Sequence, residues 1–125
     1  MILGVGLDVV ETQRVARAIA THGRRFEERV YSPDELAACA ERVDRMQALA
    51  SRFAAKEAFL KALGTGTAHG LSFRQVEVVR GDGGQPTLRL TGSAAAEVRR
   101  RGVRQLHLSL SHEPGLAAAV VILEG

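Results

Sequence analysis

One cysteine, no tryptophan, three prolines and an aromatic content of 4% set the first limits on this 125-residue sequence. The lone Cys39 excludes an intrachain disulfide and a thiolate metal cluster, and such a count suits a reducing compartment. His22, His69, His107 and His112 show no zinc-ligand spacing and have no cysteines to complete a set. So few aromatic rings provide poorly for stacking on nucleic-acid bases. Long apolar runs are missing too. Met1 to Val10 is apolar but broken by Asp8 and has no basic leader, so it is too short for a signal peptide or a membrane span. A cytoplasmic protein with no membrane association is expected. Gly64-Thr65-Gly66 lacks the Gly-Lys-Ser/Thr ending of a nucleotide-triphosphate loop. Ser109 and Ser111 lack the strand-turn-helix setting of a nucleophile elbow.

What remains is ordinary material for one soluble domain spanning 1–125, with 46% hydrophobic and 25% charged residues. The net charge of +3 favours anionic partners without choosing among acidic proteins, phosphorylated small molecules and nucleic acids. Ile2 to Val10 reads as a buried strand, and Glu11 to Ala20 as a helix with Arg14 and Arg17 on its polar side. A short basic helical turn, 24–30, follows Gly23. Ser32-Pro33-Asp34-Glu35 is a helix start with a capping box, leading to a helix that ends near Ala40. The longest helix is predicted from about Arg45 to Leu63, stopped by Gly64. Phe73 to Arg80 and Thr87 to Leu90 form strand-like runs around Gly81-Asp82-Gly83-Gly84, a hairpin signal. A short helix, 92–101, precedes two strands, Gln105 to His112 and Leu116 to Leu123, joined at Pro114-Gly115. No repeat or linker interrupts this order, so the fold class is α+β.

Three places break the pattern. Asp8 puts a carboxylate inside an apolar strand, a cost of several kcal/mol unless a cation or donors satisfy it. It either caps the following helix or ligates a metal, and Gly6 beside it lets something approach the backbone closely. On the long helix, Leu49, Phe53, Leu60 and Leu63 share an apolar arc that also contains Lys56. Glu57 and Lys61 stand one turn apart on its shoulder, either as an ordinary ion pair or as a carboxylate for a cation and an ammonium for phosphate. Third, 106–112 alternates strictly: the leucines face one way, and His107, Ser109 and Ser111 the other. That is a half-buried strand with a polar face, and His112 follows it at a strand end suited to ligand contact.

Together these breaks resemble the holo-acyl-carrier-protein synthases of the 4′-phosphopantetheinyl transferase family. Three blocks carry the resemblance in order: Gly4 to Glu11 with its Gly6-Leu7-Asp8, Arg52 to Gly66 with Lys56-Glu57-Ala58, Lys61 and Gly64-Thr65-Gly66, and Leu108 to His112. Leu60, where serine is common, and Glu113-Pro114 after the Ser-His pair depart from the pattern. The resemblance implies an antiparallel-rich sheet packed on a long helix and shorter helices. It implies magnesium held by Asp8 and Glu57, phosphate contacts by Lys56 and Lys61, and Gly64, Thr65 and Gly66 beside coenzyme A. Ser111 and His112 are expected to face the cofactor's phosphates, and Arg14, with Arg24, to dock an acidic acyl carrier protein. Short members are homotrimers with active sites between subunits. The implied activity is magnesium-dependent transfer of the phosphopantetheine arm to a carrier serine; Glu57, directly or through a metal-bound water, is the candidate base, and Lys61 would stabilise charge. Two other readings stay open on the residues alone: a different magnesium-dependent phosphate-transfer enzyme, and a basic nucleic-acid-binding module using Arg24, Arg25, Arg29, Arg99, Arg100 and Arg101.

Overall fold

In the computed structural model, which describes residues 1–125, the organising element is the long helix α4, Arg45–Leu63. Twelve of its nineteen residues are buried, so it runs through the interior with apolar side chains on nearly every side. Gly64 ends it in a left-handed conformation (φ 78°), its N–H reaching back to the Leu60 and Lys61 carbonyls. Before it come β1 (Ile2–Glu11), α1 (Thr12–His22), α2 (Arg24–Val30) and α3 (Pro33–Ala40). After it come β2 (Val76–Arg80), β3 (Pro86–Leu90), α5 (Gly92–Arg100), β4 (Gln105–Glu113) and β5 (Leu116–Glu124). The strands form an antiparallel three-stranded sheet in the order β1-β5-β4 and a separate β2-β3 hairpin. This is the α+β arrangement expected, with element bounds within a residue or two for most elements.

One boundary differs. Phe73–Gln75 is a 3₁₀ turn, and the strand begins only at Val76. The cause is Lys56: its ammonium draws in the carbonyls of both Phe73 and Val76, which bends the backbone ahead of the strand.

The inner face of the three-stranded sheet rests on α4. It presents Gly6, Asp8 and Val10 from β1, and Ala117, Ala119, Val121 and Leu123 from β5. Contact is close because both sides are stripped of bulk. A methyl group built on Gly6 would overlap the Ala58 carbonyl, and one on Gly4 the Ala62 carbonyl. Ala54, Ala55 and Ala58 of the helix are fully buried. The element that Gly6 was expected to admit is thus the backbone of α4.

A second organiser is polar. Ser32 caps α3 in a capping box with Glu35, as the sequence predicts. Glu35 also binds the Lys56 ammonium at 2.7 Å and the Val78 N–H at 2.9 Å, tying α3, α4 and β2 together. Ser32 Oγ donates in turn to Glu77, which Arg89 of β3 also holds.

Replacing Gly6 with alanine is expected to force β1 and α4 apart. The expected loss is about 1–3 kcal/mol or somewhat more of unfolding free energy, because the obstructing atom is backbone. Urea denaturation of the Gly6→Ala protein checks this, and a variant as stable as the parent would contradict the packing described.

Candidate active site

The close packing of β1 on α4 brings Asp8 to the helix face that carries Glu57 and Lys61. Asp8 is about nine-tenths buried, and Lys61 Nζ reaches its Oδ1 at 2.9 Å and the Leu7 carbonyl at 3.2 Å. Asp8 does not cap α1: the cap position is Glu11, and no side chain bonds the first turn. Its second oxygen, Oδ2, is buried with no hydrogen-bond partner. Buried carboxylate oxygens are rarely left so, and each such case asks for an explanation.

Glu57 supplies the other half. Burial first, and then the charge of Asp8, push its carboxyl above the usual glutamate range, while Arg14 and Lys61 pull the other way. The Asp8 charge is therefore close enough to oppose ionisation of Glu57. A cation between them would relieve both the repulsion and the orphaned Oδ2. Nowhere do three or more His, Cys, Asp or Glu side chains gather as a metal-ligand set, so an ion here would complete its shell with water or substrate oxygens.

Beside this pair lies a cavity of about 520 Å³, lined by Glu57, Leu60, Lys61, Gly64, Gly66, Thr67 and Phe73. Two of the three expected loop residues, Gly64 and Gly66, line it. Thr65 does not, its hydroxyl turning to the Gly66 carbonyl, and Thr67 stands there instead. Leu60 and Phe73 form an apolar wall that sequence reasoning did not assign. Phe73 lay within a run read as strand, which hid its place on a turn.

Lys56 is not in this cavity. It has no solvent exposure, and its ammonium is surrounded by Glu35, the Phe73 carbonyl and the Val76 carbonyl. The expectation that it contacts phosphate is corrected: a cation with all three protons engaged inside the core has none to offer a ligand. Its partner Glu35, read only as a capping residue, was not recognised as the counter-charge. The placement of Lys56 inside the apolar arc of the helix was the signal.

Ser111 and His112 are not brought to the carboxylates of their own chain. Ser111 is exposed on the outer face of the sheet, opposite the face that holds Asp8. His112 lies near Asp44 and lines a separate cavity of about 240 Å³ with Arg42, Gln47, Arg52 and Arg80. Asp44 and Glu57 are about three and a half helical turns apart, roughly 20 Å.

Arg14 and Arg24 are exposed on α1 and α2. The Arg14 guanidinium also stands 5.4 Å from the Phe53 ring centre, one turn from Glu57 on α4. The arginines at 99–101 are less available: Arg100 and Arg101 both pair with Glu97, and Arg101 also bonds the Leu63 carbonyl. That pairing weakens the nucleic-acid reading, which needs them free.

Residues 4–121 match the 4′-phosphopantetheinyl transferase superfamily. The holo-[acyl-carrier-protein] synthase of Anaeromyxobacter dehalogenans is 51% identical, covering 100% of this chain and 98% of that protein. That of Methylobacterium radiotolerans is 48% identical over 99% of this chain and 94% of its own. Among solved structures, the crystal structure of the Neisseria meningitidis synthase superposes with a TM-score of 0.90 at 35% identity, covering 100% of both chains. The Helicobacter pylori synthase in complex with coenzyme A gives 0.83 at 30% identity, covering 96% of this chain and 99% of that one. With sequence and fold matching from end to end, this chain belongs to the 4′-phosphopantetheinyl transferase superfamily, among its holo-[acyl-carrier-protein] synthases.

Proposed function

We propose that the chain transfers the 4′-phosphopantetheine group of coenzyme A to a serine of apo acyl carrier protein, at a site where Asp8 and Glu57 hold magnesium. The products are holo acyl carrier protein and adenosine 3′,5′-bisphosphate. The observation that carries this reading is the opposed pair of carboxylates, one with a buried unbonded oxygen, beside a cavity with a lysine at its edge.

A serine hydroxyl must lose its proton as it attacks the β-phosphate of coenzyme A. Glu57 accepts that proton. Burial, and then Asp8, raise its proton affinity while no cation lies between the two carboxylates. Asp8 holds Lys61 in place, and the ammonium is more than half exposed, leaving donor capacity toward a phosphate oxygen. Magnesium, when bound, supplies positive charge to the pyrophosphate as the bridging bond breaks. Leu60 and Phe73 offer an apolar wall against which the pantetheine arm packs.

Exposed Arg14, Arg17, Arg24, Arg25 and Arg29 give α1 and α2 a basic surface, and His22, Arg25, Phe26 and Arg29 frame a cavity of about 350 Å³ there. This surface docks the acidic carrier protein. Val5, Leu7 and Val9 are each more than half exposed along the outer face of β1, the face that also shows Ser111. Such a stripe is unusual on a monomer. It is the interface of a homotrimer whose active sites lie between subunits, so that Ser111 and His112 serve a cofactor bound at a neighbouring copy's carboxylates.

Asp8→Asn and Glu57→Gln are expected to lower transfer by about a hundredfold or more, read as the mass gain of the carrier protein. Magnesium should raise the melting temperature of the parent and of neither variant. The sign for Glu57 is distinctive. Its carboxyl pKa is raised in the folded state, so its contribution to stability is present below the ordinary glutamate range and lost as pH rises through the folded value. Metal-free Glu57→Gln is thus expected to melt higher than the parent at pH 8 and no higher near pH 4. Lower melting at both would contradict the opposed pair.

Charge reversal at Arg14 is expected to raise the carrier-protein KM about tenfold with the coenzyme A KM little changed, and more so at low salt. Because Arg14 also faces Glu57, kcat is to be measured alongside. Equal losses toward both substrates would remove the docking role.

Leu7→Asp, on the outer sheet face, should yield a monomer by light scattering with little transfer activity. A trimer, or a fully active monomer, would refute the shared site.

A further inference from the structure

The proposed reaction leaves Lys56 without a task, although its charge is fully enclosed. Its three acceptors come from two directions. Glu35 Oε1 lies at 2.7 Å on α3, while the Phe73 and Val76 carbonyls lie at 3.0 and 2.6 Å on the turn that leads into β2. That turn closes the loop that starts at Gly64, where α4 ends. Both ends of the loop are therefore fastened to one helix. Gly64 is joined to it covalently, and the turn is held about two helical turns earlier by the Lys56 ammonium. Between those anchors are Gly64, Gly66 and Thr67, which line the cavity beside Glu57 and Lys61, and Phe73 completes its wall. The Phe73 ring also packs on Phe53 of the same helix, with centroids 5.6 Å apart.

We propose that Lys56 is a positioning residue for coenzyme A: by holding the Phe73 and Val76 carbonyls it sets the span of the 64–72 loop and the seat of Phe73, and hence the shape of the cavity that receives the cofactor. The proposal rests on the reading of that cavity as the coenzyme A site. An apolar side chain of the same length would fill the space without the desolvation that a buried ion pair suffers, so stability alone is a poor account of a charge here. What an apolar chain cannot do is impose direction on two carbonyls at once. Three donors on one nitrogen can, and this converts the rigidity of α4 into a fixed geometry for the loop.

Lys56→Met keeps the length of the side chain but strands the buried Glu35, so its melting temperature should fall. The Lys56→Met/Glu35→Gln protein removes both charges and should recover part of that loss, since the amide oxygen can still accept one of the N–H bonds from Ser32 and Val78 while the amide nitrogen cannot accept the other. In this double variant the coenzyme A Kd by calorimetry and the KM are expected to rise about tenfold or more, with kcat and the carrier-protein KM within about threefold of the parent. Trypsin should also cut faster after the exposed Arg74, which sits between the two held carbonyls. An unchanged Kd in the folded double variant overturns the proposal, and so does a loss confined to kcat. Phe73→Ala leaves the bonds to the backbone intact and must weaken coenzyme A binding similarly. An unchanged Kd there overturns the proposal whether or not the double variant folds. Calorimetry on the parent is the separate check on the cavity itself: a parent that binds no coenzyme A sinks the parent reading, and this proposal with it.

Discussion

The distance between β1 and α4 is the constraint from which the site follows. Gly4 and Gly6 remove every atom that would hold the strand away from the helix carbonyls, and the helix answers with alanines at 54, 55, 58 and 62. At this separation Asp8 no longer belongs to the strand alone. It shares a space with Glu57 and Lys61, from the other side of the sequence. Apolar burial would have been better served by larger side chains at these positions, so the small residues give up core volume in exchange for proximity. The result is a Glu57 whose ionisation is disfavoured by burial and by the charge of Asp8. Lys61 and Arg14 relieve part of this conflict, and a cation between the carboxylates would relieve more.

A second set of charges is handled in the opposite way. Lys56, Glu35, Ser32 and Glu77 form a connected interior network, closed at the surface by Arg89, in which the main donors and acceptors are matched. Satisfied buried networks specify geometry, whereas unsatisfied ones mark places where a ligand completes the structure. Adjacent residues on α4 fall on either side of this division. Lys56 turns inward and is saturated. Glu57 turns toward the cavity and is not.

Under the proposed shared-site arrangement, a single chain carries only part of what the reaction uses. Its outer sheet face is an apolar stripe with Ser111 at its edge, and His112 lines a separate basic cavity at the end of α4 away from Gly64. A domain of this size has little room to enclose a nucleotide-containing cofactor, and the proposed surface between copies would answer that shortage. The same face is where a second copy gains the most by covering exposed valine and leucine side chains.

Much of this was legible in the residues. The apolar period of the long helix, its glycine stop, the capping box at Ser32 and the alternation of 106–112 are local properties, set by a few neighbouring side chains, and each appears where expected. Asp8 and Lys56 were visible as charges in apolar surroundings, and the family resemblance followed from the order of three short blocks. The direction in which each charge is satisfied was not legible. Helical spacing placed Lys56 in the buried arc but could not supply Glu35, 21 residues away, or the two carbonyls that saturate it. Likewise, alternation set His107, Ser109 and Ser111 on one face of β4, but only the packing of the sheet on α4 decided which face holds Asp8. Local patterns are written in consecutive side chains. Partnerships between distant charges depend on which backbones approach each other, and that is settled only when the whole chain packs.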